Sequence, residues 1–421
     1  MTAPTVAIRT GAAQAPALGW LWHLAGVALM LVAGSLAAWG RWQFWTYEGS
    51  QHLLGLAVGA YLLSLWTTPR LVRFPGARAE VIVFAVLALS FLGIVAVVSG
   101  LRIYYSRSFL PAAFAVALIW QIAVMRFTAS RHRSFAVVPG GMANHLEEIE
   151  GPSWQHLERP DAFPAMATAV VADLHAVQGE EWLRFLAGCS LRGIPVYHAA
   201  AAYEAMTGRI SVRHHSQADL EGFSKRPIYD EVKMVLELAL VAATLPLWLP
   251  VCLLVALAIR LESRGPVLFW QTRVGQGGKP FRMVKFRSMR PTAEDAGPAF
   301  AAAADDRVTR VGRFIRQYRF DELPQLWNVL RGEMSLIGPR PEQVGFVSSF
   351  ERELPLYALR HLVRPGITGW AQVNQGYAAS TDETRIKLEH DLYYVKHLSF
   401  WLDMMIVFRT LRTMATGFGS R

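Results

Sequence analysis

The sequence predicts a membrane α plus α/β protein. Four N-terminal transmembrane helices are followed by a small Rossmann-like α/β domain, a proline-broken apolar segment and a C-terminal α/β domain. Three observations carry this prediction. Of 421 residues, 53% are hydrophobic and 18% charged, with a mean hydropathy of +0.25; an ordinary soluble domain carries about 25% charged residues. The apolar residues are clustered rather than spread over one large core. Past residue 126, short apolar strand-like runs alternate with helical ones, the pattern of a parallel α/β sheet.

The expected divisions are 1–126 for the spans, 127–222 for the α/β domain, 223–261 for the linker and apolar segment, and 262–421 for the last domain. The spans fall at about 18–39, 52–66, 81–101 and 109–125; crossing the hydrocarbon takes roughly 20 apolar residues. The start has a single basic residue, Arg9, ahead of a long apolar run, which predicts a retained span rather than a cleaved signal peptide. Arg70, Arg73 and Arg78 lie between spans two and three, and Arg126, Arg131 and Arg133 follow span four. Positive residues stay on the cytoplasmic side, so both ends of this block are expected there. In the next block, strands are expected at 135–138, 167–173 and 194–197, with a helix at 180–189. Pro139-Gly140-Gly141 reads as a turn, since it is not a G-x-G-x-x-G fingerprint.

Residues 238–259 carry no charge, but Pro246 and Pro250 interrupt them and both flanks are basic: Lys225, Arg226 and Lys233 before, Arg260 and Arg264 after. Proline removes a helix hydrogen bond and favours a kink. A kinked ordinary span and a segment that enters and returns on one face are equally open at this point. The C-terminal stretch 400–414 is either a helix on a membrane surface or one packed on the domain core. Residues 293–306, rich in Ala and acids, read as a loop.

Charge narrows the partners. Lys+Arg is 42 against 32 Asp+Glu, a net of +10. Such an excess suits an anionic membrane face or phosphorylated substrates. No basic run or recognition motif accompanies it, so no nucleic acid partner is expected. Cys189 and Cys252 make neither a disulfide framework nor a metal cluster. The histidines, among them His214, His215, His361, His390 and His397, show no metal-ligand spacing.

The chemistry is expected in the last domain. Lys285 and Arg287 are two apart and share a face of any strand. Arg316 and Arg319 precede Asp321-Glu322, and Pro339-Arg340-Pro341 and Arg364-Pro365 hold arginines in rigid loops. Arginine's planar fork of donors suits phosphate. A carboxylate can attack phosphorus as a nucleophile, and Mg²⁺ takes one or two carboxylates plus substrate phosphates.

Four motifs add a resemblance. FRMVKFRSM at 281–289, DELPQ at 321–325, NVLRGEMSLIGPR at 328–340 and PGITGWAQV at 365–373 resemble the bacterial sugar transferases, the monotopic phosphoglycosyl transferases. The likeness covers about 225–417, and larger members carry four spans and an α/β module ahead of it. The resemblance implies transfer of a hexose-1-phosphate from a UDP-sugar to undecaprenyl phosphate, releasing UMP, to begin an exopolysaccharide, capsule or O-antigen. It implies a covalent phosphosugar on Asp321, Mg²⁺ on Glu322, and Lys285 and Arg316 around the phosphates. Arg340, with Pro339 and Pro341, matches the nucleotide site; Arg287, Arg364 and Asp391 match further substrate-side motif positions. It also implies that Pro246 and Pro250 break a re-entrant helix, which returns the catalytic domain to the cytoplasmic side of the bacterial inner membrane, where UDP-sugars are. A homodimer is a further expectation, and glucose or galactose comes ahead of N-acetylated sugars. The chain departs from many members at Arg319-Phe320, where they have Ser-Leu, and at Asn374-Gln375-Gly376-Tyr377, where they have Asn-Gly-Arg. The first departure resembles an exopolysaccharide-associated branch.

Overall fold

Apolar runs without charges form helices because only a helix satisfies its backbone without water. The computed structural model of the chain describes residues 19–43, 50–102, 105–128, 134–161, 163–177, 179–213, 222–224, 226–290, 307–375 and 381–416. Arg9, Arg131, Arg133, His214, His215, Lys225, the stretch 293–306, Gly376 and Tyr377 lie outside them. The chain divides into two compact units, residues 1–207 and 208–421.

The first unit opens with α1 (Gly19–Trp39), α2 (Gln51–Val72), α3 (Ala79–Gly100) and α4 (Phe109–Thr128). Small residues let these helices approach. A Cβ on Gly26 would lie 2.3 Å from the Trp120 ring and the Tyr61 hydroxyl, and one on Gly34 would lie 2.7 Å from the Phe109 ring. Tyr61, Leu87, Phe109 and Ala113 are fully enclosed at the centre. Trp120 Nε1 donates to Trp22 O at 2.7 Å. Among the described residues, four helices are long and apolar enough to cross a membrane: α1, α3, α4 and Leu245–Glu262. The set differs from the expected one. α2 opens with Gln51 and His52 and has Pro69 and Arg70 near its end, which lowers its hydropathy, yet Leu53, Ala57 and Ala60 still pack into the bundle.

The α/β module follows. β1 (Ser134–Val137), β2 (Ser153–His156), β3 (Ala169–Ala172) and β4 (Val196–His198) form a parallel sheet in the order β2-β1-β3-β4. β1 and β3 are buried on both faces, as central parallel strands are. Helix α5 (Glu180–Leu191) covers one face through Phe185, Leu186 and Cys189, and α6 (Ala199–Thr207) covers the other through Ala199 and Ala202. β2 is a polar edge strand, which is why hydropathy does not reveal it. The Pro-Gly-Gly turn closes on the chain itself: Met142 N donates to Asp173 Oδ2 at 2.9 Å. A Cβ on Gly141, whose φ is 53°, would meet that oxygen at 2.2 Å.

The second unit begins ahead of residue 223. Ile210 N bonds Glu389 O at 3.1 Å, and Trp370 Nε1 donates to Gly208 O at 2.8 Å. The apolar segment is two helices, α7 (Pro227–Ala243) and α8 (Leu245–Glu262), which meet at Thr244. Pro246 lies in the first turn of α8, where its missing N–H costs little, and Pro250 is inside it. The domain proper contains the hairpin β5 (Leu268–Val274) and β6 (Pro280–Phe286), then α9 (Arg310–Gln317), α10 (Gln325–Leu330), β7 (Ser335–Ile337), α11 (Val344–Glu353), β8 (Gly366–Thr368), α12 (Trp370–Asn374), α13 (Thr381–Lys396) and α14 (Phe400–Thr416). β5 and β6 are antiparallel; β7 and β8 are parallel. The first half of α14 packs on the core, with Leu402 and Ile406 fully buried, so the core alternative holds there.

Both ends of the α7–α8 pair are tied to this same domain. On α7, Tyr229, Lys233 and Glu237 share one face at i, i+4 spacing. Lys233 Nζ donates to Ile337 O at 2.8 Å and Tyr394 Oη at 2.7 Å and lies 2.9 Å from Asp403 Oδ2. Tyr229 Oη donates to Asp403 at 2.7 Å, and Ser335 Oγ to Glu237 at 2.8 Å. At the far end of α8, Ile259 packs on Phe286 and Ile315, and the Glu262 carboxylate accepts Arg310 N at 2.7 Å and Val311 N at 3.0 Å. That carboxylate caps α9 where the helix dipole favours an anion. Between these anchors Leu240, Leu247, Leu253, Leu254 and Leu257 stay exposed. Lys233→Ala leaves Asp403 and Glu237 buried without their cation and should cost about 3–5 kcal/mol, read as a lower unfolding temperature in detergent. An unchanged temperature would show that the network carries no stability.

Candidate active site

The site is built around two adjacent carboxylates. They lie in a separate 3₁₀ turn, Phe320–Glu322, and α10 starts only at Gln325. Pro324 lacks the N–H that would extend one helix through both. The turn shares an apolar cluster with α8: Phe320 and Leu323, like Cys252, Val255 and Ala256, pack against Ile259, Phe286 and Ile315. On the other side, Leu326 and Leu330 of α10 pack with Val241 and Trp248. The carboxylate turn and the helix after it thus share apolar clusters with α7 and α8.

Glu322 is buried, 6% exposed. Burial alone would raise its pKa, but Arg340, Lys285 and Arg319 overcome this and hold it at about 2. Arg340 donates from Nη2 to Glu322 Oε1 at 2.8 Å, and Arg319 Nη1 and Lys285 Nζ lie 3.7 and 3.8 Å from the same oxygen. Asp321 moves the other way. Burial, and then the charge of Glu322, raises its pKa above the usual carboxylate value, against Lys285, Arg340 and Arg316. Burial and the neighbouring Arg340 lower the Lys285 ammonium to about 8. Two carboxylates whose environments push them apart are suited to different roles. The ionised Glu322 fits a structural or metal-holding task, and the more basic Asp321 fits a nucleophile.

Arg340 is held by its loop. Ile337 O accepts from Lys233, Pro339 O from Gly366 N at 2.9 Å, Arg340 O from Arg360 at 2.9 Å, and Pro341 O from Arg273 at 3.1 Å. Three of these four donors are cations, and charge-assisted bonds are the stronger kind. The close crossing needs glycines: a Cβ on Gly366 would lie 2.0 Å from Gly338 N. Asn328, fully buried, binds Arg282 O at 2.8 Å and Glu333 Oε2 at 2.7 Å and accepts Val284 N at 3.1 Å. It fixes α10 to β6, and so Glu322 to Lys285.

Of the residues singled out by sequence, Asp321, Glu322, Lys285, Arg316 and Arg340 come together. Arg316 Nε donates to Ser288 Oγ at 2.8 Å, and its charge acts on Asp321. Pro339 and Pro341 flank Arg340 and, with Arg360, His361 and Pro365, line a small cleft. Three others point elsewhere. Arg287 donates to Ser263 O, Ser263 Oγ and Arg264 O, tying down the end of α8. Arg364 donates to Asp230 O on α7 at 2.8 Å. Asp391 is buried against Arg360 at 2.7 Å, and reaches Arg340 only through that guanidinium. Arg273, Arg360 and Lys233 were not legible as site residues, because their sequence neighbours carry no motif; only the fold brings them to the Arg340 loop. His361 also stands out. Burial and Arg360 lower it to about 4, so it is neutral, and its buried Nε2 has no partner among the described residues.

No group of three His, Cys, Asp or Glu among the described residues could hold a metal ion. Mg²⁺ needs fewer, one or two carboxylates with substrate oxygens completing the shell. Glu322 is ionised, and all three cation distances are to Oε1, so the donor set at Asp321–Glu322 fits such an ion when a phosphorylated substrate supplies the rest.

The family model described as bacterial sugar transferase matches residues 228–417. A UDP-N-acetylgalactosamine-undecaprenyl-phosphate N-acetylgalactosaminephosphotransferase of Aeromonas hydrophila is 44% identical over 403 residues, covering 94% of each chain. A UDP-glucose:undecaprenyl-phosphate glucose-1-phosphate transferase of Caulobacter vibrioides is 45% identical over 193 residues, 45% of this chain and 72% of that one. A protein of the same name from Escherichia coli is 43% identical over 212 residues, 48% of this chain and 46% of that one.

A depressed carboxylate pKa is a stability statement. Glu322 stabilises the fold fully above its ordinary value of 4.5, and that contribution is lost as pH falls towards about 2. Arg340→Met removes the nearest cation, so Glu322 should be less depressed, and the acid-side loss of stability should be smaller and complete at higher pH than in the wild type, measured as unfolding temperature against pH. Superimposable profiles would contradict the pairing.

Proposed function

The chain belongs to the bacterial sugar transferase family, and we propose that it transfers a sugar-1-phosphate from a UDP-sugar to undecaprenyl phosphate, releasing UMP. The observation that carries the reading is the split pair: a raised, half-buried Asp321 beside an ionised Glu322 ringed by cations. In the first step an Asp321 oxygen attacks the sugar-linked phosphorus. The bond from that phosphorus to the bridging oxygen breaks, and UMP leaves with the electron pair. Lys285, Arg316 and Arg340 balance the diphosphate charge as it shifts to the leaving group. In the second step an oxygen of the polyprenyl phosphate attacks the same phosphorus, forming a new diphosphate and freeing Asp321. Mg²⁺ held by Glu322 would polarise the phosphoryl oxygens and neutralise charge. The rigid Pro339-Arg340-Pro341 loop takes the nucleotide, with neutral His361 offering one hydrogen-bonding edge in a proline-walled cavity.

The acceptor is a lipid, so its phosphate sits at the membrane surface. A site that shares an apolar cluster with α8 meets it there. With Lys233 and Glu262 holding the two ends of α7–α8 on one domain, the segment is read as re-entrant: it dips into one leaflet and returns. Four N-terminal helices then leave the catalytic domain in the cytoplasm, at the inner membrane. The donor we favour is UDP-N-acetylgalactosamine, because the relative that matches along 94% of both chains is named for it, while the glucose transferases match about half of this chain. Transfer starts a lipid-linked glycan.

The test is UMP release from a panel of UDP-sugars, with and without undecaprenyl phosphate and Mg²⁺. One donor, UDP-N-acetylgalactosamine, should support lipid-dependent turnover, and Asp321→Asn should lower it by at least about 10³-fold, as loss of a nucleophile does. Wild-type turnover by Asp321→Asn would remove the nucleophile assignment. For the topology, cysteines placed at Ile228 and Leu261, both exposed, should be reached by an impermeant maleimide from the same side of sealed vesicles. Labelling from opposite sides would make α7–α8 a crossing.

A further inference from the structure

Arg319 has a backbone that arginine adopts only under strain. Its φ is 60° and its ψ 19°, in the left-handed region. Among the described residues, Arg102 is the one other non-glycine residue with positive φ. Glycine takes this conformation freely; a side chain with a Cβ does not. The turn itself requires it. Arg319 N bonds Arg316 O at 3.2 Å as α9 ends, and Arg319 O accepts Glu322 N at 3.2 Å as the carboxylate turn begins. The left-handed residue also separates two groups of side chains. Tyr318 and Phe320, on either side of it, both lie against Phe314, with their own ring centroids 6.1 Å apart. Arg319 goes the other way, placing Nη1 3.7 Å from Glu322 Oε1.

We propose that Arg319 is a positioning residue for the transfer reaction: its cation holds Glu322 against the turn that carries Asp321, in a backbone conformation that glycine would adopt at lower cost. Lys285 and Arg340 reach the same oxygen from β6 and from the loop after β7. They tie Glu322 to the rest of the domain. Arg319 sits three residues before Glu322 on the same turn, so it fixes the orientation of the two carboxylates relative to each other. A surface arginine that happened to lie in a turn would do neither, and glycine in its place would be the better residue. The inference rests on the reading of Asp321 as the attacking group.

Stability and turnover should therefore separate. Arg319→Gly relieves the backbone and should raise the unfolding temperature by about 2–4 °C for a domain of this size, while kcat for UMP release falls about tenfold. Arg319→Asn, which also tolerates the left-handed region, should lose turnover likewise and guards against a glycine-specific folding fault. Arg319→Lys keeps the charge and should recover most of the lost kcat. Wild-type kcat in both Gly and Asn variants, or a Lys variant no better than they are, would overturn the proposal. Asp321→Asn in the same assay keeps the two readings apart: turnover by that variant removes the nucleophile, whatever Arg319 does.

Discussion

The arrangement depends on the bond from Arg340 to Glu322. Two neighbouring carboxylates cannot be enclosed in a domain unless cations answer them. Arg340 supplies the closest, at 2.8 Å, and its guanidinium is useful only if it cannot wander. Hence the effort spent on its loop: Gly338 and Gly366 allow a backbone crossing that a Cβ would block, and Lys233, Arg360 and Arg273 hold the carbonyls on either side. Electrostatic stabilisation is strongest where the dipoles and charges need not reorganise. With Glu322 satisfied, Asp321 is left as the more basic partner.

The second constraint is depth. Phe320 and Leu323, on both sides of the carboxylate pair, pack against the cluster that Ile259 of α8 forms with Phe286 and Ile315, and Lys233 on α7 reaches the carbonyl just ahead of Gly338. The apolar helices are thus built into the site rather than attached to it. On the proposed reading this puts the attacking carboxylate where a lipid phosphate arrives and leaves the diphosphate donor on the aqueous side.

Much of this was legible in the residues, for identifiable reasons. The long apolar helices α1, α3 and α4 follow from uninterrupted hydropathy, and the central strands β1 and β3 from short buried runs. Asp321, Glu322, Lys285, Arg316 and Arg340 sit in dense local motifs, so proximity in sequence pointed to proximity in space. What failed to show was long-range. β2 is polar and short. Arg287, two residues from Lys285, leaves the cluster to hold the end of α8. Asp391 looks like a ligand by motif but is enclosed by Arg360, whose own role depends on a contact 20 residues away in the chain. α2 lacks the hydropathy of its neighbours and is placed by packing. Pattern gives elements and local clusters; only the packed fold says which cation meets which acid.

The most direct measurement is the intact mass of the purified protein after incubation with UDP-N-acetylgalactosamine and no lipid acceptor. A gain of one sugar phosphate is expected, located on the peptide containing Asp321, with about one UMP released per protein by the stoichiometry of a covalent intermediate. Addition of undecaprenyl phosphate should discharge it. An enzyme that turns over with acceptor yet forms neither adduct nor UMP without it would contradict the account, since donor and acceptor would then react directly and Asp321 would not be the nucleophile.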